Sequence, residues 1–143
     1  MKRVIVYQRK TQVFIFAQSQ TTAGVWIMEG AADAVDIGDP GQIGAVVSQA
    51  LEVSKTNVPH PTSWKGLFDP VLKLAGVKSW STFVKSARCV EIELDADGIW
   101  LLPTRNLGAD GGFDQIGRHA CPATKSDHVA LGQALLQALE IAG

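Results

Sequence analysis

The chain has 143 residues, of which 46% are hydrophobic and 19% are charged, and its formal net charge is −1. A chain of this length fits one domain and buries roughly 68–70% of its unfolded surface on folding, so it needs neither a disulfide nor a structural metal. The near-neutral charge gives no indication of non-specific nucleic-acid binding, although a local basic patch would still be compatible with it.

The hydropathy pattern indicates a protein that is neither secreted nor inserted in a membrane. The first apolar run, Val4–Tyr7, is soon interrupted by Arg9 and Lys10, which is not the pattern of a signal peptide. No segment approaches the ~18 apolar residues of a membrane span. We therefore expect a single cytoplasmic domain over residues 1–143.

The N-terminal part of the sequence predicts three strands. Valine, isoleucine, phenylalanine and tryptophan dominate residues 4–7, 13–17 and 24–28, and these residue types fit a pleated, half-buried surface. The polar links between the runs are short, so we expect neighbouring strands to pair antiparallel.

Two long helices are predicted from apolar residues at helical spacing. Asp39 and the proline after it form a cap that opens the first helix, which is expected to end near residue 55. Ser126 is expected to cap the second, in which leucines and alanines repeat at 3.6-residue spacing. Asp69-Pro70 repeats the aspartate–proline capping pattern and predicts a short helix that ends near residue 75, and a further helical turn is expected near residue 80.

A β-hairpin is predicted in the middle of the second half. Apolar residues at positions 90, 92 and 94 alternate with acidic residues at 91, 93 and 95, which is the pattern of a strand with one buried and one wet face. Asp97-Gly98 is predicted to form a type I′ turn, and Pro103 is expected to end the second strand.

The remaining segments complete an α+β prediction. Residues 106–112 contain three glycines and are expected to form a mobile loop, whereas residues 115–121 are expected to form a short strand. The sum is a two-layer α+β domain, in which an antiparallel sheet carries helices largely on one face.

The densest carboxylate cluster is Glu91, Glu93, Asp95 and Asp97. The first three share a strand face at a spacing of about 7 Å. Three interpretations are open: a solvated strand face, an acidic docking surface for a basic partner, and a catalytic pair in a glycosidase or a metal-dependent nuclease. A row on an exposed strand diverges from any shared point, and this disfavours catalysis.

The cysteines and histidines do not show the spacing of a metal site. His119 and Cys121 form an isolated H-x-C pair, whereas zinc sites usually carry C-x2–4-C or H-x3–5-H pairs. We therefore expect no metal, no cofactor and no nucleophilic Cys–His pair, with Cys89 in the core. His60 and His128 are expected to be ordinary surface or half-buried residues.

Several short stretches of the second half form a set with a family resemblance. They are Gly76–Trp80 with Phe83, Cys89–Glu93, Ile99, Pro103–Asn106, Gly112-Phe113 and Leu131–Leu135 with Ala138-Leu139. In these stretches the chain, from about residue 64 to 139, resembles the immunity proteins of bacterial contact-dependent growth inhibition systems.

The resemblance implies a cytoplasmic inhibitor that acts by binding and not by catalysis. Its partner would be the C-terminal toxin domain of a surface-exported protein from a sibling cell, and that toxin is commonly a nuclease that attacks RNA, often transfer RNA. The resemblance implies a tight 1:1 heterodimer in which the inhibitor covers the active site or the substrate surface. It implies no direct contact of the inhibitor with nucleic acid or membrane.

An acidic segment supplies the candidate binding surface. Residues 91–114 carry six acids and one base, and such a strip can mimic the phosphates that an RNA-cutting toxin binds. Trp64 lies in a polar loop and is a candidate interface anchor. The predicted partner-contacting residues are Glu93, Asp95, Asp97, Asp110, Asp114 and Trp64; Asp33, Asp36 and Asp39 form a second candidate segment.

The sequence is also compatible with two rival functions. The first is a small metal-dependent hydrolase that uses the carboxylates of residues 91–97, and bound divalent metal would favour it. The second is a generic interaction module without a toxin partner. An adjacent toxin gene would distinguish an immunity protein from that module.

Overall fold

The apolar runs near the N-terminus form the centre of the sheet. In the computed structural model, which describes residues 1–143, β1 (Lys2–Arg9) and β2 (Gln12–Gln20) form an antiparallel hairpin. Val4, Ile5, Val6 and Tyr7 are all buried, so both faces of β1 are covered. This explains why the run is continuously apolar instead of alternating.

The remaining strands extend the sheet on both sides of this hairpin. The other elements are β3 (Trp26–Asp36), α1 (Pro40–Val53), α2 (Asp69–Ala75), α3 (Trp80–Val84), β4 (Arg88–Asp95), β5 (Gly98–Asn106), β6 (Phe113–Gln115), β7 (His119–Ala120) and α4 (His128–Ile141). The strand order is β3-β2-β1-β4-β5-β6, with β7 also paired to β5, and every pairing between these strands is antiparallel.

The helices divide between the two faces of the sheet. The long helices α1 and α4 pack together on what we call the first face, over a core of 17 buried residues that includes Val4 and Ile92. The short helices α2 and α3 cover part of the opposite, second face, over eight buried residues that include Tyr7 and Phe14. The predicted α+β class, the antiparallel sheet and the long helices on one face are confirmed.

Two glycines allow α1 and α4 to approach closely. A Cβ atom added to Gly44 would lie 1.8 Å from the carbonyl oxygen of His128, and one added to Gly132 would lie 1.9 Å from that of Pro40. Both neighbours are backbone atoms that cannot move independently. The helices therefore touch along a seam that only glycine permits.

One of the three predicted helix caps is confirmed, and the other two are wrong. Asp39 accepts a hydrogen bond from the backbone N–H of Gln42 and caps α1, as predicted. The cap of α4 is Asp127 and not Ser126, because the carboxylate of Asp127 reaches the N–H of Ala130. The predicted cap at Asp69 is also wrong, since that residue lies in the first turn of α2 and Phe68 precedes it without a side-chain cap.

The third strand is longer than predicted. It continues past Met28 to Asp36, because its pairing with β2 resumes after a local irregularity. At this irregularity the register shifts between Ile15 and Ala17 of β2, and Gly30 of β3 has a positive φ (71°). The segment after Met28 reads EGAADAVD. It lacks the alternation of a half-buried strand because β3 is an edge strand, on which most of these side chains are exposed.

The β4–β5 turn also differs from its prediction. Asp95 pairs with Gly98, so the two residues between the strands are Ala96 and Asp97, and neither has a positive φ. The predicted type I′ turn centred on Asp97-Gly98 is wrong, and the positive φ of Gly98 (127°) falls on the first residue of β5.

The C-terminal connections contain two short strands where one was predicted. Residues 113–115 and 119–120 each pair with β5. The glycine-rich segment before them is closed by a hydrogen bond from the N–H of Leu107 to the carbonyl of Gly112 at 2.9 Å. None of the four helices is long and apolar enough to cross a membrane.

Candidate functional site

A row of charged and aromatic side chains crosses the part of the second face that α2 and α3 do not bury. Arg3 pairs with Glu93 across β1 and β4, and Glu93 pairs with Trp100 across β4 and β5. Residues two apart on a strand share a face, so Glu91 and Asp95 lie on the same side of β4 as Glu93. We call this surface the open face; its members are Arg3, Trp26, Glu91, Glu93, Asp95, Trp100 and Arg118.

At the centre of the open face, Arg3 and Glu91 form an ion pair that is largely buried. Their side chains are only 14% and 11% exposed, and the carboxylate of Glu91 also accepts a hydrogen bond from the amide of Gln115. The guanidinium of Arg3 lies 5.5 Å from the ring centre of Trp26. The expectation that all three acids of β4 point into water is therefore wrong for Glu91, because neighbouring strands supply it with partners.

At the turn end of the open face, Asp95 is held by three donors. Its Oδ1 accepts hydrogen bonds from the backbone N–H of Asp97 at 2.9 Å and from the indole Nε1–H of Trp100 at 3.1 Å, and its Oδ2 lies 3.4 Å from Arg118. The hydrogen bond from Asp97, followed by that from Trp100, holds the pKa of Asp95 below its usual value. Asp95 is thus ionised at neutral pH and organises the turn.

Arg118 lies over this end of the open face. Its guanidinium carbon is 3.9 Å from the ring centre of Trp100, and its Nε is 3.9 Å from the carboxylate of Glu93. The Arg118 side chain is 46% exposed, whereas that of Glu93 is 13% exposed. A separation of 3.9 Å exceeds hydrogen-bond length, so Glu93 has an ionic neighbour but no hydrogen-bond donor within the chain.

Trp64 borders the opposite side of the open face. It is 54% exposed, and its ring meets His60 edge-on at a centroid distance of 5.4 Å. A small apolar hollow of about 90 Å³ separates it from Trp26 and Met28 of β3. Trp64, Trp26 and the acids of β4 therefore belong to one side of the molecule.

The predicted acidic strip is divided by the hairpin. Asp97 lies in the β4–β5 turn, whereas Asp110 follows the far end of β5, and the eight residue steps of β5 span about 27 Å. Asp114 alternates with Phe113 and Gln115, which face the second face. Its side chain thus points to the other side of β6, and the structure does not bring the six acids together.

The largest cavity adjoins the same turn from the first face. It has a volume of about 770 Å³ and is lined by Leu94, Ile99, Trp100 and the segment 120–126. Lys125 on its rim forms an ion pair of 2.7 Å with Glu52 of α1. Asp97 and Gly98 of the turn region also line this cavity, which therefore borders the open face at Trp100.

The two cysteines and the histidines lie apart. Burial raises the pKa of the Cys89 thiol well above its usual value, and this residue belongs to the second-face core. Cys121 packs against the first-face core, and both thiols are free. No group of three or more histidine, cysteine, aspartate or glutamate side chains is arranged to hold a metal ion.

Sequence reasoning missed the two arginines that organise the open face. Arg3 and Arg118 are 88 and 23 residues from their carboxylate partners Glu91 and Asp95. Only the strand order brings each arginine to its carboxylate partner, so no local sequence pattern predicts these contacts. The alternation within β5 could have assigned Trp100 to the same face as Leu102 and Thr104.

Tryptophan and arginine, which are prominent on the open face, are among the residue types enriched at protein-binding surfaces. Comparison with known families identifies the family of this chain. Residues 36–142 match the family model described as CDI immunity protein, CdiI. The chain belongs to the CDI immunity protein family, as its second half indicated.

Solved structures share the fold across the whole chain. A protein of unknown function from Neisseria meningitidis is 19% identical, with a TM-score of 0.77 over 99% of this chain and 95% of that chain. A chain of the CdiA-CT/CdiI toxin and immunity complex from Yersinia pseudotuberculosis is 14% identical, with a TM-score of 0.75 over 99% and 97%. No curated protein matches the sequence.

Proposed function

We propose that this protein binds the toxin domain of a contact-dependent growth inhibition system and neutralises it as a stoichiometric 1:1 inhibitor in the cytoplasm. The observation that carries the proposal is the family match over residues 36–142. Support comes from the similarity in fold to a chain of a complex whose name describes a toxin with its immunity protein.

The proposed binding surface is the open face, together with the turn that borders it. Glu93, Asp95 and Asp97 supply negative charge, and Trp64 supplies an exposed aromatic anchor on the opposite side. Asp110 and Asp114 lie at the other end of β5, so we assign them a secondary role at most. The rival hydrolase would need converging carboxylates, yet the sheet supplies Glu91 and Asp95 with arginine partners.

The proposed toxin is a nuclease that acts on RNA. Such an enzyme needs a basic groove for phosphate, and an inhibitor with ionised carboxylates at its binding surface would accelerate the encounter and compete for that groove. This inhibition would be electrostatic occlusion, with no chemical step on the immunity protein.

Co-expression with the toxin domain encoded beside this gene tests the proposal. We expect restored growth, a co-purified 1:1 complex with nanomolar or tighter affinity by calorimetry, and loss of RNA cleavage at equimolar inhibitor. Growth arrest without complex formation would overturn the immunity function for this pair. A toxin domain that forms the complex but leaves RNA intact when it is assayed alone would overturn only the proposed toxin chemistry.

A further inference from the structure

We propose that Trp100, Glu93 and Asp95 form a receptor for an arginine side chain of the toxin, and that Arg118 occupies this receptor in the free protein. The inference rests on the proposed function, because it names the group that the partner inserts. It also assigns to Arg118 the role of an internal occupant that the partner displaces.

The receptor has the geometry that a planar guanidinium requires. The indole of Trp100 forms a shelf on which the guanidinium of Arg118 stacks, with the guanidinium carbon 3.9 Å from the ring centre. The carboxylates of Glu93 and Asp95 lie along one side of that shelf. Arginine fits such a site better than lysine, since only a planar cation can stack and donate in two directions at once.

Asp95 and Trp100 hold the receptor in shape independently of Arg118. The indole Nε1–H of Trp100 donates to Asp95 at 3.1 Å, and the backbone of Asp97 fixes the same carboxylate at 2.9 Å. Because these bonds lie within the turn and the hairpin, the shelf and one carboxylate keep their positions when Arg118 leaves. The receptor is therefore preorganised for a second occupant.

Arg118 fills the receptor incompletely. Its contact with Asp95 is 3.4 Å long, and Glu93 lies 3.9 Å away without a hydrogen-bond donor. Arg118 also comes from the connection between two short strands and is 46% exposed. A partner arginine that approaches from solvent could donate to both carboxylates, so exchange would gain hydrogen bonds that the free protein lacks.

The same face holds a contrasting arginine that is not exchangeable. Arg3 makes a close ion pair with Glu91 and faces the ring of Trp26, but only 14% of its side chain is exposed. Each of the two arginines thus lies next to a carboxylate and a tryptophan ring. Burial distinguishes the structural pair from the exchangeable one.

Removal of the Arg118 side chain is expected to increase the affinity for the toxin by a small factor. Exposed ion pairs are weak, so Arg118 blocks the receptor for only part of the time. A ligand whose site is free for a fraction of the time binds with an apparent Kd divided by that fraction. Arg118→Ala should therefore bind the toxin about three-fold more tightly than the wild type.

A first experiment uses a probe in place of the toxin. N-acetyl-arginine amide is titrated into full-length wild type and Arg118→Ala, and the indole Nε1–H resonance of Trp100, assigned with Trp100→Phe, is followed by NMR. We expect a saturable shift at millimolar concentration in Arg118→Ala, a weaker one in the wild type, and little response to N-acetyl-lysine amide. Equal responses to both probes, or none in Arg118→Ala, would overturn the receptor.

A second experiment measures toxin affinity by calorimetry. Arg105→Ala is the matched control, because it removes one exposed arginine that makes no ion pair and so changes the net charge equally. We expect tighter binding for Arg118→Ala, little change for Arg105→Ala, and weaker binding for Glu93→Gln. Weakened or unchanged binding of Arg118→Ala would refute displacement.

The proposed immunity function and the arginine receptor are contradicted by different results. A wild-type protein that does not bind the toxin contradicts the proposed function, whereas the NMR titration still tests the receptor. A wild-type protein that binds normally, with no gain in Arg118→Ala, contradicts only the arginine receptor.

Discussion

Glu91 and Glu93 lie two residues apart on one strand and are similarly buried, yet only Glu91 has hydrogen-bond donors within the chain. Glu91 is covered by Arg3 and Gln115, which donate to its carboxylate. Glu93 has Arg118 as an ionic neighbour at 3.9 Å, beyond hydrogen-bond length, and the Arg118 side chain is 46% exposed. The same residue type therefore joins neighbouring strands at one position and keeps an unused hydrogen-bonding capacity two residues later.

The Arg3–Glu91 pair predicts a large asymmetry between single and double substitution. Glu91→Gln should lower the free energy of unfolding by about 3 kcal/mol, because it leaves the charge of Arg3 largely buried without its counter-ion. Urea denaturation followed by tryptophan fluorescence measures this change.

The double variant Arg3→Met/Glu91→Leu controls for the loss of the charges themselves. We expect it to recover most of the lost stability, since well-packed apolar pairs often replace buried ion pairs without cost. A Glu91→Gln protein as stable as the wild type would contradict the structural role of the pair.

At the scale of elements, the seam between α1 and α4 controls how the first face is covered. Gly44 and Gly132 bring backbone against backbone, with no space for a methyl group. The apolar residues that predicted both helices lie on this seam and on the sheet, so helix formation and helix packing depend on the same stripe.

Gly44→Ala should lower the free energy of unfolding by about 2–3 kcal/mol, because the added Cβ would force the two helices apart. Gly41→Ala in the same helix is the control. Its Cβ would meet a methyl group of Val129 at 3.5 Å, which is an ordinary contact, and we expect a gain of about 0.5 kcal/mol from the stiffer chain.

Thermal and urea unfolding of both variants measure these differences. Equal effects of the two substitutions would show that general glycine flexibility, and not the close approach of the helices, determines the stability of this seam.

At the scale of the whole molecule, the strand order decides which charges act together. The acids of residues 91–114 belong to one sequence segment, but β5 carries the chain from one end of the sheet to the other between Asp97 and Asp110. Asp97 borders the open face, whereas Asp110 lies about 27 Å farther along. A single acidic segment thus forms two separate surfaces.

This separation predicts different effects of charge reversal on toxin binding. Asp97→Lys should weaken binding about ten-fold and slow association most at low salt, because it reverses the field beside the open face. Asp110→Lys makes the same charge change and should alter affinity by less than about two-fold.

Calorimetry and stopped-flow association at two salt concentrations distinguish these outcomes. If Asp110→Lys weakened binding as strongly as Asp97→Lys, the toxin would bind at the other end of β5 or cover both ends.

The sequence by itself determined the elements whose pattern is local. The stripes of α1 and α4, the alternation of β4 and the cap at Asp39 depend on residues a few positions apart, and so does the family resemblance of the second half. The second half of the edge strand β3, residues 29–36, was not predicted, because an exposed strand shows no such alternation.

Only the tertiary structure decided which charges are paired and which are free. Arg3 reaches Glu91 and Arg118 reaches Asp95 because β1 and β7 lie beside the central hairpin, and strand order is not encoded in any local period. Ionic contacts depend on distances in space, so the open face emerges only when the sheet is assembled.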